Sequence, residues 1–241
     1  VNDEPTLAAI SDPAAILEDA SEQTISLSGI TSGASNETQI LSVSVESSNP
    51  SLIPTPDVTY TSADETGSLS YTPVSDQHGS ATITVMVQDN GGVSDGGVDT
   101  TFQSFTVVVD PVADTPGITS TTTHEDTTST TGLVISRNVV DGEEVSHFKI
   151  TEISNGTLYR QDDGVVEIVE GEFISYTAGN SGLLFEPFPD FNGIDSFKIR
   201  ASTGVGESFL GGEEVIAEIT VIEVNDEPTL AAISDPAAIL E

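Results

Sequence analysis

Apolar side chains recur at every second position along short stretches of this chain. Ile25 and Leu27 share one face, as do Leu41, Val43 and Val45, then Leu69 and Tyr71, then Ile83, Val85 and Val87, then Phe105, Val107 and Val109. The second half shows the same habit in Phe148 with Ile150, Phe197 with Ile199, and Val215, Ala217, Ile219 and Val221. A period of two sends alternate side chains to opposite faces of a strand, one toward a core and one toward water. Between these runs lie SSNPS, DNGGVSDGG, SNGT and GNSG, clusters of the residues that make turns. One stretch, DPAAILEDA at 12–20, has helical spacing, but Pro13 and the acids after it limit it to a single turn. About seven short strands in each stretch of about 110 residues predict an all-β chain of two tandem antiparallel sandwiches with Greek-key connections.

The tandem reading rests on repetition. VNDEPTLAAISDPAAILE at 1–18 returns unchanged at 224–241, a period of 223 residues. Inside it, VNDEP at 1–5 is echoed by VADTP at 112–116 and again by VNDEP at 224–228. Glu18-Asp19 matches Glu125-Asp126, and SDQHGSATITVMV (75–87) parallels PDFNGIDSFKIRA (189–201), each an Asp–x–x–Gly turn leading into an alternating strand. Features that coincide at one spacing are the signature of repeated structural units. The expected domains are residues 1–113, residues 114–223, and a tail, 224–241, holding the linker and first strand of the next repeat. With no sandwich of its own to join, that tail is expected to be frayed unless it pairs with a neighbouring molecule or a sheet edge of its own chain.

Charge sharpens the picture. Forty acidic residues face five basic ones, a formal net charge of −35. Such a surface repels nucleic acid and anionic lipid and attracts cations. All five basic residues (Arg137, Lys149, Arg160, Lys198 and Arg200) lie in the second half, so the sixteen acids of the first 113 residues have no Lys or Arg partner there. They must be solvated, spread apart or bound to metal. The absence of cysteine excludes disulfides, zinc–thiolate sites and thiol nucleophiles. No run approaches the roughly 20 apolar residues of a membrane-spanning helix, so direct membrane insertion is not expected. His78, His124 and His147 are scattered, and no nucleophile elbow, phosphate loop or dinucleotide fingerprint is present. No catalysis is expected.

Glu223-Val224-Asn225-Asp226-Glu227-Pro228, at a module junction and following a strand, resembles the calcium-carrying linker between cadherin repeats. Glu stands where that linker begins with Asp, and the middle copy carries Ala113 in place of Asn while keeping Asp114 and Pro116. ILEDASEQTISLSGI, GSLSYTPVSDQHGSATITVMVQDNGG and LLFEPFPDFNGIDSF are similar to the cadherin-like and Ig-like repeats of giant secreted bacterial adhesins. The resemblance implies an extracellular or cell-surface spacer whose partners are neighbouring repeats of the same chain, with Ca2+ as cofactor at the junctions. It implies Glu18, Asp89, Asp110 and Asp114 as ligands at the central junction, with Asp141 and Glu143 added from DGEE. At the second junction it implies Glu125, Glu223, Asn225 and Asp226. SGASNET (32–38), the counterpart of DGEE, lacks the Asp141/Glu143 pair. Asp12, Asp57 and Asp76 read as turn residues.

The chemistry of calcium agrees, because six to eight hard oxygens clustered in loops are what that ion takes. The rival reading is an adhesin module that recognises a glycan or a cell-surface protein directly. Its aromatic candidate is FEPFPDF (185–191), but a loop plugging one end of the sandwich explains that segment better, since aromatic side chains are usually core.

Overall fold

The computed structural model describes residues 1–231, so the prediction for 224–241 lies outside the described residues from position 232 onward. The backbone divides into two compact units. The first holds Val1–Asp114 together with the loops Asn138–Ser146 and Ser202–Gly212; the second holds Thr115–Arg137, His147–Ala201 and, of the described residues, 213–231.

Seven strands build the first unit: β1 (Ile16–Leu17), β2 (Gln23–Ser28), β3 (Leu41–Ser47), β4 (Asp57–Thr59), β5 (Thr66–Tyr71), β6 (Gly79–Asp89) and β7 (Thr100–Asp110). They form two sheets, in the orders β1-β7-β6-β3 and β2-β5-β4. The long pair β6–β7 is antiparallel and runs in register from Gly79 opposite Val109 to Gln88 opposite Thr100. Its inward residues Ile83, Val85, Val87, Phe105 and Val107 are buried against Leu27, Leu69 and Tyr71 of the other sheet. Each such side chain stabilises the fold by about 1.5–3 kcal/mol relative to exposure. The period of two seen in the sequence is therefore the alternation between this core and water.

One edge departs from the antiparallel pattern. Thr6 bridges Thr31, and the Ala8 N–H bonds the Ser28 carbonyl, on the β2 side. Pro13 follows, with no N–H to give a ladder. Ile16 and Leu17 then pair in parallel with Val109 and Asp110 of β7. The segment 6–17 thus ties both sheets together, and the helix-like spacing of 12–20 yields only this short strand and a turn.

The second unit contains β8 (Gly117–Ile118), β9 (Thr121–His124), β10 (Ile135–Ser136), β11 (His147–Thr151), β12 (Gly156–Arg160), β13 (Val166–Ile168), β14 (Phe173–Ser175), the single-turn helix α1 (Tyr176–Asn180), β15 (Leu184–Pro187), β16 (Gly193–Ser202) and β17 (Val215–Ile222). Its sheets are β14-β11-β16-β17-β9 and β13-β12-β15, with the short pair β10-β8 beside them. Phe148, Ile150, Leu158, Phe185, Phe197, Ile199 and Ile219 are buried between the layers. β9 runs parallel to β17, from Thr121 opposite Ile219 to His124 opposite Ile222, the same edge arrangement as β1 on β7. Ser175 caps α1 by accepting the Ala178 N–H at 3.1 Å. Gly179 lets the helix lie on the core, since a Cβ there would come within 2.8 Å of the Phe148 ring. Among the described residues no helix is long and apolar enough to cross a membrane.

Candidate metal centres

Each unit begins its edge strand, turns, and leaves a buried glutamate where its last strand ends. In the second unit the Glu125 N–H bonds the Ile222 carbonyl at 2.9 Å, and its carboxylate accepts the Val224 N–H and, at 3.4 Å, the Asn192 amide. Glu125 is only 4% exposed, so these bonds fix the chain just after β17 to the turn just after β9. The next residue, Asp126, accepts the Asp190 N–H at 3.3 Å. Both aspartates take positive φ (59° and 61°), which Asp tolerates better than most residues. Asp126, Asp190 and Asp226 are exposed, and each offers a carboxylate oxygen within 4.8 Å of the other two. Loss of solvent, and then the Asp190, Glu125, Asp126 and Glu223 carboxylates, hold the Asp226 carboxyl above its ordinary range. Three carboxylates at that spacing repel one another and would be relieved by a divalent cation.

The first unit repeats the framework. The Glu18 N–H bonds the Asp110 carbonyl at 3.1 Å, and its Oε1 accepts the Val112 N–H at 2.8 Å. Glu18 is 5% exposed, and His78 Nδ1 stands 3.6 Å from its Oε2, in the place Asn192 holds beside Glu125. Burial raises the Glu18 carboxyl most, with Asp19 and Asp114 adding and the Val112 N–H and His78 opposing. Burial, then Asp76 and Asp19, raise Asp114 as well.

The loop 138–146 completes this end of the unit. Asp141 Oδ1 accepts the Asp114 N–H at 3.1 Å, and its Oδ2 accepts the Asn138 N–H at 3.2 Å. Burial is again the main reason the Asp141 carboxyl lies high. Glu143 is exposed at a turn; its neighbour Glu144 faces inward, bonding the Gly142 N–H and standing 3.9 Å from His78 Nε2.

Asp89 is not at this end. The register of β6 on β7 carries it ten positions from Gly79, roughly 30 Å from Asp110. Spacing along the chain placed it with Asp110; strand length separates them. At its own end Asp89 is 4% exposed, and its Oδ1 accepts the Asn2 amide at 2.9 Å and the Gly91 N–H at 2.8 Å. Gln39 in turn bonds Asn2 Oδ1. Glu37 Oε1 accepts the Asp3 N–H at 3.2 Å, as Asp141 does for Asp114. Glu37 therefore supplies from SGASNET the linker anchor that the missing Asp141/Glu143 pair would have given. Asp89 Oδ2, Glu37 Oε2 and Gln39 Oε1 are buried without hydrogen-bond partners. Buried oxygens left unmatched are the donor set a hard cation takes.

Of the residues expected from sequence, Glu18, Asp110, Asp114 and Asp141 gather in the first unit. Glu125, Glu223 and Asp226 gather in the second, where Asn225 is exposed and bonds the Asp226 carbonyl at 3.1 Å. Missed were Asp19, Glu37, Asp76, Asp126, Asp190 and Glu144. The matching Asp–x–x–Gly turns already pointed to Asp76 and Asp190, which turn chemistry alone had explained.

Other site types find less. A cleft of about 590 Å³ in the first unit is lined mainly by Leu17, Pro111, Val112, Phe209 and Leu210, with Asp110 and Glu144 at its walls. In FEPFPDF, Phe185 is core and Phe188 is exposed.

No protein-family model matches the sequence, and no curated protein matches it. Solved structures similar to it include a three-repeat fragment of mouse cadherin-23, with 14% identity and TM-score 0.45, covering 93% of this chain and 67% of that one. An I-band fragment of titin matches at 10% identity and TM-score 0.44, over 92% of this chain and 66% of its own. An endo-fucoidan hydrolase of glycoside hydrolase family 107 matches at 15% identity and TM-score 0.33, over 92% of this chain but 29% of that enzyme. The chain thus spans about two thirds or less of these proteins, and likeness at this level says nothing of what it binds.

Proposed function

We propose that this chain is a non-catalytic structural repeat of a large extracellular bacterial adhesin, a spacer whose inter-module linkers are stiffened by Ca2+. The observation that carries the reading is the recurrence of one carboxylate framework: Glu18, Asp19, Asp76 and Asp114 in the first unit, and Glu125, Asp126, Asp190 and Asp226 in the second. A solubilising surface has no need to repeat its acids at equivalent positions, whereas a cation-binding linker does. Bound calcium supplies positive charge and a demand for six to eight oxygens. The chain's own part is to fix the linkers through Glu18 and Glu125, and to aim Asp114 and Asp226 at the turn aspartates. Module orientations are independent by default, and a shared cation removes that freedom. Neighbouring repeats are then the partners, and the domain limits 1–113, 114–223 and 224–241 are the units of the array.

Calorimetric titration of the metal-free chain with calcium tests this. Binding is expected at about 10⁻⁴–10⁻³ M, the range of extracellular modules. No heat and no rise in melting temperature up to several times that concentration would reject it.

A further inference from the structure

We propose that the outer face of the five-stranded sheet in the second unit is a self-association surface that docks against the same face of a second copy of the chain. Strongly acidic as the chain is, Glu218 is the one acid among the outward strand residues of this face. The residues pointing away from the core are His147, Lys149 and Thr151 on β11, Ile194, Ser196, Lys198 and Arg200 on β16, and Ile216, Glu218, Thr220 and Ile222 on β17. Three of the five basic residues of the whole chain are here. So are three aliphatic side chains turned to water: Ile194 at 70% exposure, Ile216 at 62% and Ile222 at 43%.

The charges on the face are mixed, and Lys198 is bridged at 2.6 Å to Glu152, just past β11. Lys149, Lys198 and Arg200 stand on β11 and β16; Glu218 stands on β17, and Glu214, just before that strand, lies 3.0 Å from Lys198. Ile216 is opposite Lys198 and Glu218 opposite Ser196, so the basic side chains of β11 and β16 stand beside a strand whose outward acid is Glu218, with isoleucines among them. A two-fold axis lying in the contact plane, parallel to the strands and between β16 and β17, sets the basic side chains of β16 against the Glu218 strand of the other copy, as an isologous contact requires. A chain of net charge −35 repels its own copies, and a face where charge is balanced and apolar area exposed is where they can approach.

The area is modest. The five strands, three to ten residues long, cover roughly 500 Å² per copy, or about 1,000 Å² in all. That is the size of a weak, transient contact, so a dissociation constant in the high micromolar range is expected from one pair, and tandem repeats would tighten it.

Sedimentation velocity tests this with the chain as it stands, in chelator so that calcium plays no part. Salt is set at about 150 mM, where the screening length is about 8 Å. Between about 1 µM and about 1 mM protein, a reversible monomer–dimer equilibrium is expected. Ile216→Glu and, independently, Ile194→Glu should each weaken it at least tenfold; Thr84→Glu, in the first unit, should leave it unchanged. Because both isoleucines are exposed, melting curves of the variants should match the parent, and either variant alone suffices if the other misfolds. A chain that stays monomeric throughout, or a dimer that neither variant weakens, overturns the proposal. So does a face that binds a sulfated polysaccharide such as heparin while showing no self-association.

Discussion

Asn2 donates its side-chain amide to Asp89 Oδ1 at 2.9 Å, although 87 positions separate them in sequence. The other oxygen of Asp89 is buried and has no partner. Asn2 belongs to the same VNDEP motif that recurs at 224–228, so this pair shows how the linker is seated on a module.

Asp89→Asn keeps the acceptor for Asn2 and Gly91 and replaces the unmatched oxygen with a neutral amide. Without calcium the variant loses a buried negative charge and should be more stable by about 1 kcal/mol, the low end of what burying such a group costs. That is about 2–4 °C in melting temperature for a chain of this size. With millimolar calcium its gain in melting temperature should be smaller than the parent's. Scanning calorimetry under both conditions checks this.

Removing one carboxylate from the trio Asp126, Asp190 and Asp226 has the same double effect. Asp190→Asn should relieve repulsion in the metal-free protein and weaken calcium binding by about tenfold, about 1.4 kcal/mol. Asp57→Asn, on the exposed edge strand β4, serves as the control and should change neither quantity.

The pH response of the metal-free chain runs opposite to ordinary acid denaturation at first. Glu18, Asp114 and Asp141 have carboxyls raised chiefly by burial. Between the unfolded value, about 4, and the raised folded value, such a group binds more protons when folded than when unfolded. Stability therefore rises as pH falls through that interval and is lost as pH climbs back through it. Thermal melts in chelator should show a higher midpoint near pH 5 than near pH 7. In calcium the difference should shrink or reverse, because protons and metal compete for the same oxygens.

Each unit has its own core, and Phe105→Ala and Phe148→Ala each remove a fully buried ring. Each should cost about 3–5 kcal/mol. Tryptophan is absent, so the measurement is a denaturant titration followed by far-ultraviolet circular dichroism.

Strands and modules were legible because burial on one face of a sheet forces a period of two, and the core residues Ile83, Val85, Phe105, Phe148 and Ile219 all follow it. Repetition along the chain marked Glu18 and Glu125 as equivalent positions, and each is buried beside the end of its unit's last strand. Asp89 was misplaced because spacing along the chain does not say at which end of an eleven-residue strand a side chain emerges; only register does. Glu143 was chosen over Glu144 because the chain turns at those two residues, and an Asp–x–Asp spacing presumes it does not. Asp76 and Asp190 lay in turns whose local chemistry already accounted for an aspartate, so their approach to Asp114 and Asp226 was invisible without the fold. The parallel pairing of β1 with β7 was likewise hidden, since residues 6–17 carry too little alternation to show that they change sheets.

The central claim is that calcium stiffens the array, and small-angle X-ray scattering measures it directly. Profiles would be recorded on the same sample in chelator and again in several millimolar calcium, above the expected dissociation constants of about 10⁻⁴–10⁻³ M. The prediction is a longer maximum dimension and a sharper, less flexible profile with calcium, reversed by adding chelator. Two profiles that superimpose would contradict it.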